Sequence, residues 1–248
     1  MKSPKTEKDQ FIIHYKKNAK DYDVTRDYRN SITRYFYNKQ VDFVLSAFKN
    51  VDNIVEVGAG TGKFTIPLAL AGKHVRVIDS SQEMLDILVG KANKHGVSDR
   101  ISVELGDIED LNLPDCSAEA VLSIALVRHL GDPSRAVSEL SRILMPNGIF
   151  VLDYLSKYYF LIPNIFSSII SFTSFRKGSK WFKNYYYSKS QFDSQLEKNF
   201  IYSKSFRRFV SIPTALLNLL PSPVVFFLLK LEFKFNVGSI VYVLGVKK

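Results

Sequence analysis

Val55-Glu56-Val57-Gly58-Ala59-Gly60-Thr61-Gly62-Lys63-Phe64 is the stretch whose reading decides the fold. Ile54 extends its apolar start, and Thr65-Ile66-Pro67-Leu68-Ala69 follows it. The pattern predicts a buried strand, a tight glycine turn and the first turn of a helix. Glycine admits positive φ and lets a ligand reach the main chain with no Cβ in the way. The helix beyond the turn presents free N–H groups and the positive end of its dipole. A nucleotide-like cofactor across the C-terminal edge of a parallel sheet is therefore expected.

The glycines fall at Gly58, Gly60 and Gly62. A dinucleotide fingerprint asks for a small residue where Lys63 stands, and a phosphate loop asks for Ser or Thr where Phe64 stands. Glu56, just before the turn, would repel a pyrophosphate but tolerates a cofactor with an amino group and a positive sulfur. These residues resemble motif I, Glu/Asp-x-Gly-x-Gly-x-Gly, of the class I S-adenosylmethionine-dependent methyltransferases. The resemblance implies S-adenosyl-L-methionine as the cofactor, held by Glu56, Gly58, Ala59, Gly60 and Gly62.

The intervals that follow extend the resemblance. Lys73–Asp79 reads as an apolar strand ending in an acid, about 20 residues beyond the first glycine, where a carboxylate can accept both ribose hydroxyls. Asp79-Ser80-Ser81-Gln82-Glu83-Met84-Leu85 is similar to motif II, with Ser80 beside the cofactor, Met84 against the adenine, and a serine cap with an acid three residues on that starts a helix. Ile101–Leu105 alternates as a third strand. Gly106-Asp107-Ile108 resembles motif III, where Asp107 takes the adenine amine and Ile108 faces the ring. Ala120–Ala125 is strand four, and its end, Ala125, adjoins the cofactor in the family. Leu126-Val127-Arg128-His129-Leu130-Gly131-Asp132-Pro133 is similar to the family's Ala-Leu-x-His-x-x-Asp-Pro. His129 is thus a candidate general base, because histidine titrates near neutrality; a histidine bonded to loop backbone is the plain alternative. Arg128 is a candidate for an acidic group on the acceptor, or a residue facing solvent. Tyr154, Tyr185 and Tyr186 are further candidates beside the acceptor.

Ser134–Leu144 carries one apolar stripe, Ala136, Val137, Leu140, Ile143 and Leu144, and predicts a helix that Met145-Pro146-Asn147-Gly148 stops. Ile149–Asp153 is strand five. Strands alternating with helices give a parallel α/β sheet. By resemblance it is a Rossmann-like, mostly parallel sheet of seven strands in the order 3-2-1-4-5-7-6, strand seven antiparallel, with helices on both faces. Ile201–Phe206 and Ser239–Val246 supply strands six and seven, and Ser188–Phe192 the helix start between. The organisation read is a helical cap over 1–50, a cofactor-binding core over 51–154, and a substrate lid with the last two strands over 155–248. In the cap, Ala19-Lys20-Asp21-Tyr22-Asp23 resembles the Ala-x-x-Tyr-Asp signature of small-molecule methyltransferases. There the segment folds over the site, which makes Tyr22 a candidate for closing it.

Charge is unevenly spread. Residues 1–50 hold 11 basic and 6 acidic side chains, 51–150 hold 9 and 14, and 151–248 hold 14 and 4. Basic flanks around an acidic centre suit an anionic partner, or a solvated surface alone. Residues 158–175 and 209–229 are uncharged, edged by Arg176, Lys177 and Lys230. Their serines and prolines argue against membrane spans. A hydrophobic lid, a face on a lipid headgroup layer and a dimer face remain open for them. One cysteine, Cys116, excludes an internal disulfide, and no His/Cys cluster indicates a metal. With no apolar run at the N-terminus, a cytoplasmic setting is expected. The function expected is methyl transfer to a small lipophilic acceptor, as in the ubiquinone/menaquinone-biosynthesis methyltransferases, with peripheral membrane contact and a homodimer as partner states. A nucleic-acid methyltransferase is disfavoured, because no Asn/Asp-Pro-Pro-Tyr motif follows strand four. A non-catalytic, partner-binding relative is the third class.

Overall fold

The computed structural model describes residues 7–23, 31–156, 185–198, 200–208, 223–224 and 240–248. Helices α1 (Glu7–Asn18) and α2 (Ser31–Ala47) lead in. Strands and helices then alternate: β1 (Asn53–Val57), α3 (Thr65–Leu70), β2 (His74–Asp79), α4 (Gln82–His95), β3 (Ile101–Leu105), β4 (Ala118–Ser123), α5 (Ser134–Ile143) and β5 (Leu144–Ser156). β6 (Tyr186–Tyr187), α6 (Lys189–Leu196), β7 (Phe200–Arg208) and β8 (Ile240–Lys247) follow. The sheet order is β3-β2-β1-β4-β5-β8-β7. β1 to β5 run parallel, and β8 lies antiparallel between β5 and β7. This is the expected methyltransferase order, with β7 and β8 as strands six and seven. β6 is an addition: Tyr186 and Tyr187 pair parallel with Leu155 and Ser156. Two residues carry too little alternation to be read as a strand.

Parallel strands need helical crossovers, so both sheet faces are covered and the strands read as apolar runs. On one face Val44 of α2, Phe48 just beyond its end, Leu68 of α3 and Leu85 and Leu88 of α4 pack on Ile54, Val75, Val77 and Leu122. On the other, Ala136, Val137, Leu140 and Ile143 of α5 join Phe192 and Leu196 of α6 against Val55, Val57, Val121 and Leu152. The stripe expected on α5 is thus its core face. Truncating a residue such as Phe48 or Phe192, both fully buried, costs about 3–5 kcal/mol.

Two local expectations are corrected. Ser81, not Ser80, caps α4, its hydroxyl accepting the Met84 amide. That shift moves Glu83 out of the reciprocal capping position; it takes the Ser81 hydroxyl at 3.1 Å and pairs with Lys16 at 3.0 Å. Met145–Gly148 does not end in a free turn either. Leu144 pairs with Ala118 and Ile149 with Ala120, so four residues are looped out inside β5, with Asn147 at φ 62°. The result is a wide irregularity that keeps the ladder going on both sides.

Residues 158–175 lie outside the described residues, as do all of 209–229 except 223–224. Among the described residues no helix is long and apolar enough to cross a membrane.

Candidate functional site

A crevice opens at the C-terminal ends of β3, β2, β1 and β4. Its floor is Gly58, Ala59 and Gly60; Asp79 and Ser80 follow β2, Gly106, Asp107 and Ile108 follow β3, and Ile124, Ala125 and Leu126 follow β4. Phe11, Ile12, Tyr15 and Tyr22 form its N-terminal wall. Glu56, Met84, Lys63, Phe64 and Leu130 complete the lining used below.

The bend is glycine for two separate reasons. Gly58, Gly60 and Gly62 all have positive φ, at 77°, 57° and 86°. A Cβ on Gly58 would lie 2.6 Å from Leu126 Cδ2, and one on Gly60 would meet the Tyr22 ring at 3.7 Å. Gly62 does not line the crevice; its missing Cβ leaves room for Leu88 on α4.

Asp79 ties the bend to β2. One carboxylate oxygen accepts the Gly60 amide at 2.8 Å and the other accepts the Ser81 amide at 3.0 Å. Burial raises its pKa, against the lowering effect of these amides. Asp107 accepts the Glu109 amide at 3.0 Å, which turns the chain back toward Asp110. Glu56 is 3% exposed and takes the Thr65 hydroxyl at 2.6 Å. Burial pushes its pKa up to about 7; the Thr65 hydrogen bond opposes this, and the nearby Asp79 carboxylate adds to it. Among the described residues no lysine or arginine forms an ion pair with it. The crevice therefore presents bare backbone, three acids and the Lys63 side chain, and its acids suit a ligand with hydroxyls, amines or a positive centre.

The candidates for proton and acceptor chemistry stand apart from the lining. His129 sits in a short turn, Val127–His129, its ring 4.7 Å from Phe11. Its Nε2 lies 3.4 Å from the Tyr15 hydroxyl, which does line the crevice. Arg128 pairs with the fully buried Asp153. Tyr154 is 2% exposed, its ring stacked 4.2 Å from Phe192 in the core. Tyr185 lies beside Gly131 and donates its amide to the Arg128 carbonyl at 2.8 Å. Tyr186 is half-buried where β6 meets β5. Of the cofactor-side candidates, all but Gly62 meet in the crevice; of the acceptor-side candidates, none does.

Sequence reasoning missed Phe11, Ile12, Tyr15, Lys63, Leu126 and Leu130. The four-residue spacing of Phe11 and Tyr15 put both on one helix face, and that was the signal available. It also passed over Asp153, which accepts the Ala125 amide at 2.7 Å.

Residues 55–152 match the family model described as a methyltransferase domain. An uncharacterised methyltransferase of Mycobacterium tuberculosis is 36% identical over 108 residues, 44% of this chain and 41% of that protein. The ubiquinone/menaquinone biosynthesis C-methyltransferase of Rubrivivax gelatinosus is 30% identical over 133 residues, 53% of this chain and 50% of that protein. The chain thus spans about half the length, or less, of these curated relatives. In structure it is similar to the magnesium protoporphyrin IX methyltransferase of Synechocystis, solved with bound S-adenosylhomocysteine. The TM-score is 0.66 at 16% identity, over 95% of this chain and 99% of that one. The chain has the Rossmann-like methyltransferase fold.

Proposed function

We propose that this protein is an S-adenosylmethionine-dependent methyltransferase acting on a small, lipophilic acceptor. The observation that supports it best is the convergence of Glu56, Asp79 and Asp107 on one crevice around the glycine bend. This donor set fits the cofactor. Asp79 uses two of about four lone-pair sites on backbone amides and keeps acceptor capacity for ribose hydroxyls. Asp107 serves the adenine amine, with Ile108 and Met84 as apolar walls. Glu56 offers a negative charge to an ammonium or a positive sulfur. When bound, S-adenosylmethionine supplies an electrophilic methyl group. The chain's own contribution is to orient that group, exclude water and hold the acceptor in line, a matter of proximity. Where the acceptor loses a proton, the Tyr15 hydroxyl takes it while passing its own to His129 Nε2.

A lipophilic acceptor is supported by the apolar residues Phe11, Ile12, Ile124, Leu126 and Leu130 in the lining. The uncharged runs 158–175 and 209–229, read as lid, and a relative that acts in quinone biosynthesis point the same way. The basic flanks favour work at an anionic membrane surface. Co-sedimentation with anionic but not neutral liposomes is expected, and recovery wholly in the supernatant would remove that part.

Calorimetric titration with S-adenosylmethionine and S-adenosylhomocysteine tests the main reading. Asp79→Ala should weaken both by about tenfold or more, as expected for lost charge-assisted hydrogen bonds. Absence of binding to the unaltered protein would end the reading.

A further inference from the structure

We propose that the outer edge of β3 is an interface with a second copy of this chain, the two strands pairing antiparallel about a two-fold axis at Val103. Among the described residues β3 ends the sheet, with β2 on its paired side. An edge strand offers unpaired N–H and C=O groups to any strand that fits, and folded proteins blunt it with proline, lysine, a bulge or a covering element. Ile101-Ser102-Val103-Glu104-Leu105 holds neither proline nor lysine, and its five residues pair with β2 in unbroken register. Its one charge, Glu104, is already answered by Arg76 of β2 at 2.6 Å. Nor is the edge covered: Val103 is 36% exposed and Leu105 57%, and Val89 of α4, the helix packed on β3, is 37% exposed.

The backbone selects the pairing. The Gly106 amide donates to the Asp79 carbonyl at the end of β2, at 3.0 Å. Alternate residues of a strand turn their backbone groups to opposite sides, so Ser102 and Glu104 face β2 and Ile101, Val103 and Leu105 face outward. The Ile101 amide already donates to the Ser98 carbonyl. An axis at Val103 lets Val103 exchange both its bonds with the partner's Val103 and sends the Leu105 amide to the carbonyl of the partner's Ile101. Each free outward amide then finds an acceptor. The side chains agree. Val103 meets Val103, Ile101 meets Leu105, and the Ser102 hydroxyl faces the Glu104 carboxylate, which accepts it. An axis at Glu104 would set that acid against itself, and one at Ser102 would set Leu105 against Asp99. A slip of one residue would turn every side chain to the wrong face. The contact is isologous, one patch meeting its own copy. A ladder this short buries less than the roughly 800 Å² per partner of a stable complex, so a reversible, micromolar dimer is expected.

Sedimentation velocity on the full chain tests the interface. Over roughly 1–100 μM the protein should pass from monomer to dimer. Val103→Lys sets two ammonium groups face to face at the axis and should weaken association by about tenfold or more. Leu70→Lys, at an exposed apolar residue of α3 (58% exposed), should leave it unchanged. A monomer at every concentration overturns the proposal and leaves the edge to a strand of a different protein. A dimer indifferent to Val103→Lys, or equally weakened by Leu70→Lys, overturns it too. Cross-linking reads the register. With Cys116→Ser removing the native thiol, Val103→Cys should form a disulfide dimer under mild oxidation. Facing Cα atoms of a hydrogen-bonded antiparallel pair lie about 5.5 Å apart, within disulfide reach. Leu70→Cys in the same background should stay monomeric on reducing-free gels. Cross-linking through Leu70→Cys alone places any dimer elsewhere and overturns the assignment. Should Val103→Lys fail to fold, the Val103→Cys cross-link decides: its formation supports the interface and its absence overturns it.

Discussion

Asp153 Oδ1 accepts the backbone amide of Ala125 at 2.7 Å, so a fully buried acid inside β5 sets the backbone that leaves β4. Ala125 stands at φ 65°, in the left-handed region, and it lines the crevice. That conformation costs an ordinary residue about 1–2 kcal/mol. The same carboxylate pairs with Arg128 three residues on, so one side chain holds both ends of the loop. Strain of this kind persists only where the surroundings over-determine it.

Removing that acid should therefore do more than delete a surface ion pair. Asp153→Ala leaves the Arg128 guanidinium buried without its carboxylate and the Ala125 amide without its acceptor. Loss of one partner of a buried pair costs about 3–5 kcal/mol, and urea unfolding should read a loss of that size. A loss below about 1 kcal/mol, the worth of an exposed pair, would mean that the loop is held by something else.

Glu56 makes the ligand-free protein pH-sensitive. Its pKa is about 7 in the fold against 4.5 unfolded, so between those values the folded state binds the proton that the unfolded state has released. Stability falls as pH rises through that window and levels above about 7; over 2.5 units the loss is about 3 kcal/mol. Asp79, also raised, acts in the same direction. Glu56→Gln should flatten the difference between melts at pH 5 and pH 8. A ligand with a positive centre prefers the ionised acid, so its affinity should rise with pH through about 7 with proton release on binding. Titrations in buffers of different ionisation enthalpy read that release. An affinity flat in pH, and the same for Glu56→Gln, would contradict the role given to this side chain.

Gly58 and Gly72 separate crowding from backbone strain. Both have positive φ, at 77° and 88°. A Cβ on Gly58 meets Leu126 at 2.6 Å, whereas one on Gly72 meets nothing within 4 Å. Gly72→Ala should cost about 1–2 kcal/mol from the left-handed conformation alone. Gly58→Ala should cost more, because Leu126 must move, and should abolish cofactor binding while Gly72→Ala leaves it intact. Equal costs in thermal melts would show Leu126 yielding freely.

How far the sequence carries the fold depends on the range of the signal. Ile101–Leu105 was legible to the residue because it is a strand bounded by a short turn and by Gly106. The crevice lining was legible because the residues read for it sit at strand ends, where position along the chain fixes position in space. Tyr154, Tyr185 and Tyr186, read as acceptor contacts, stand outside the crevice lining. An aromatic side chain reads alike whether it faces a ligand or, like Tyr154, stacks on Phe192 from another helix. Asp153 was invisible for the opposite reason. Its partners Ala125 and Arg128 lie 28 and 25 residues away, and no local pattern records such a contact.

The N-terminal wall is joined to the core by a small polar latch. The Thr61 hydroxyl, inside the glycine bend, donates to Asp23 Oδ1 at 2.7 Å; Lys91 of α4 pairs with the other Asp23 oxygen and donates to the Thr61 carbonyl at 2.9 Å. Next to Asp23, Tyr22 covers Gly60, while Phe11 and Tyr15 on α1 line the crevice beyond. These contacts are part-exposed, so together they are worth about 1–2 kcal/mol rather than the value of a buried network. Asp23→Ala should leave global unfolding almost unchanged. Hydrogen exchange of the α1 amides should accelerate by about tenfold, the equivalent of 1.4 kcal/mol of local opening. Salt should speed α1 exchange in the unaltered protein only weakly, because screening touches the Lys91 pair and not the Thr61 hydrogen bond. Unchanged α1 exchange in Asp23→Ala would show that the aromatic contacts of Phe11 and Tyr15 with His129 hold the wall without the latch.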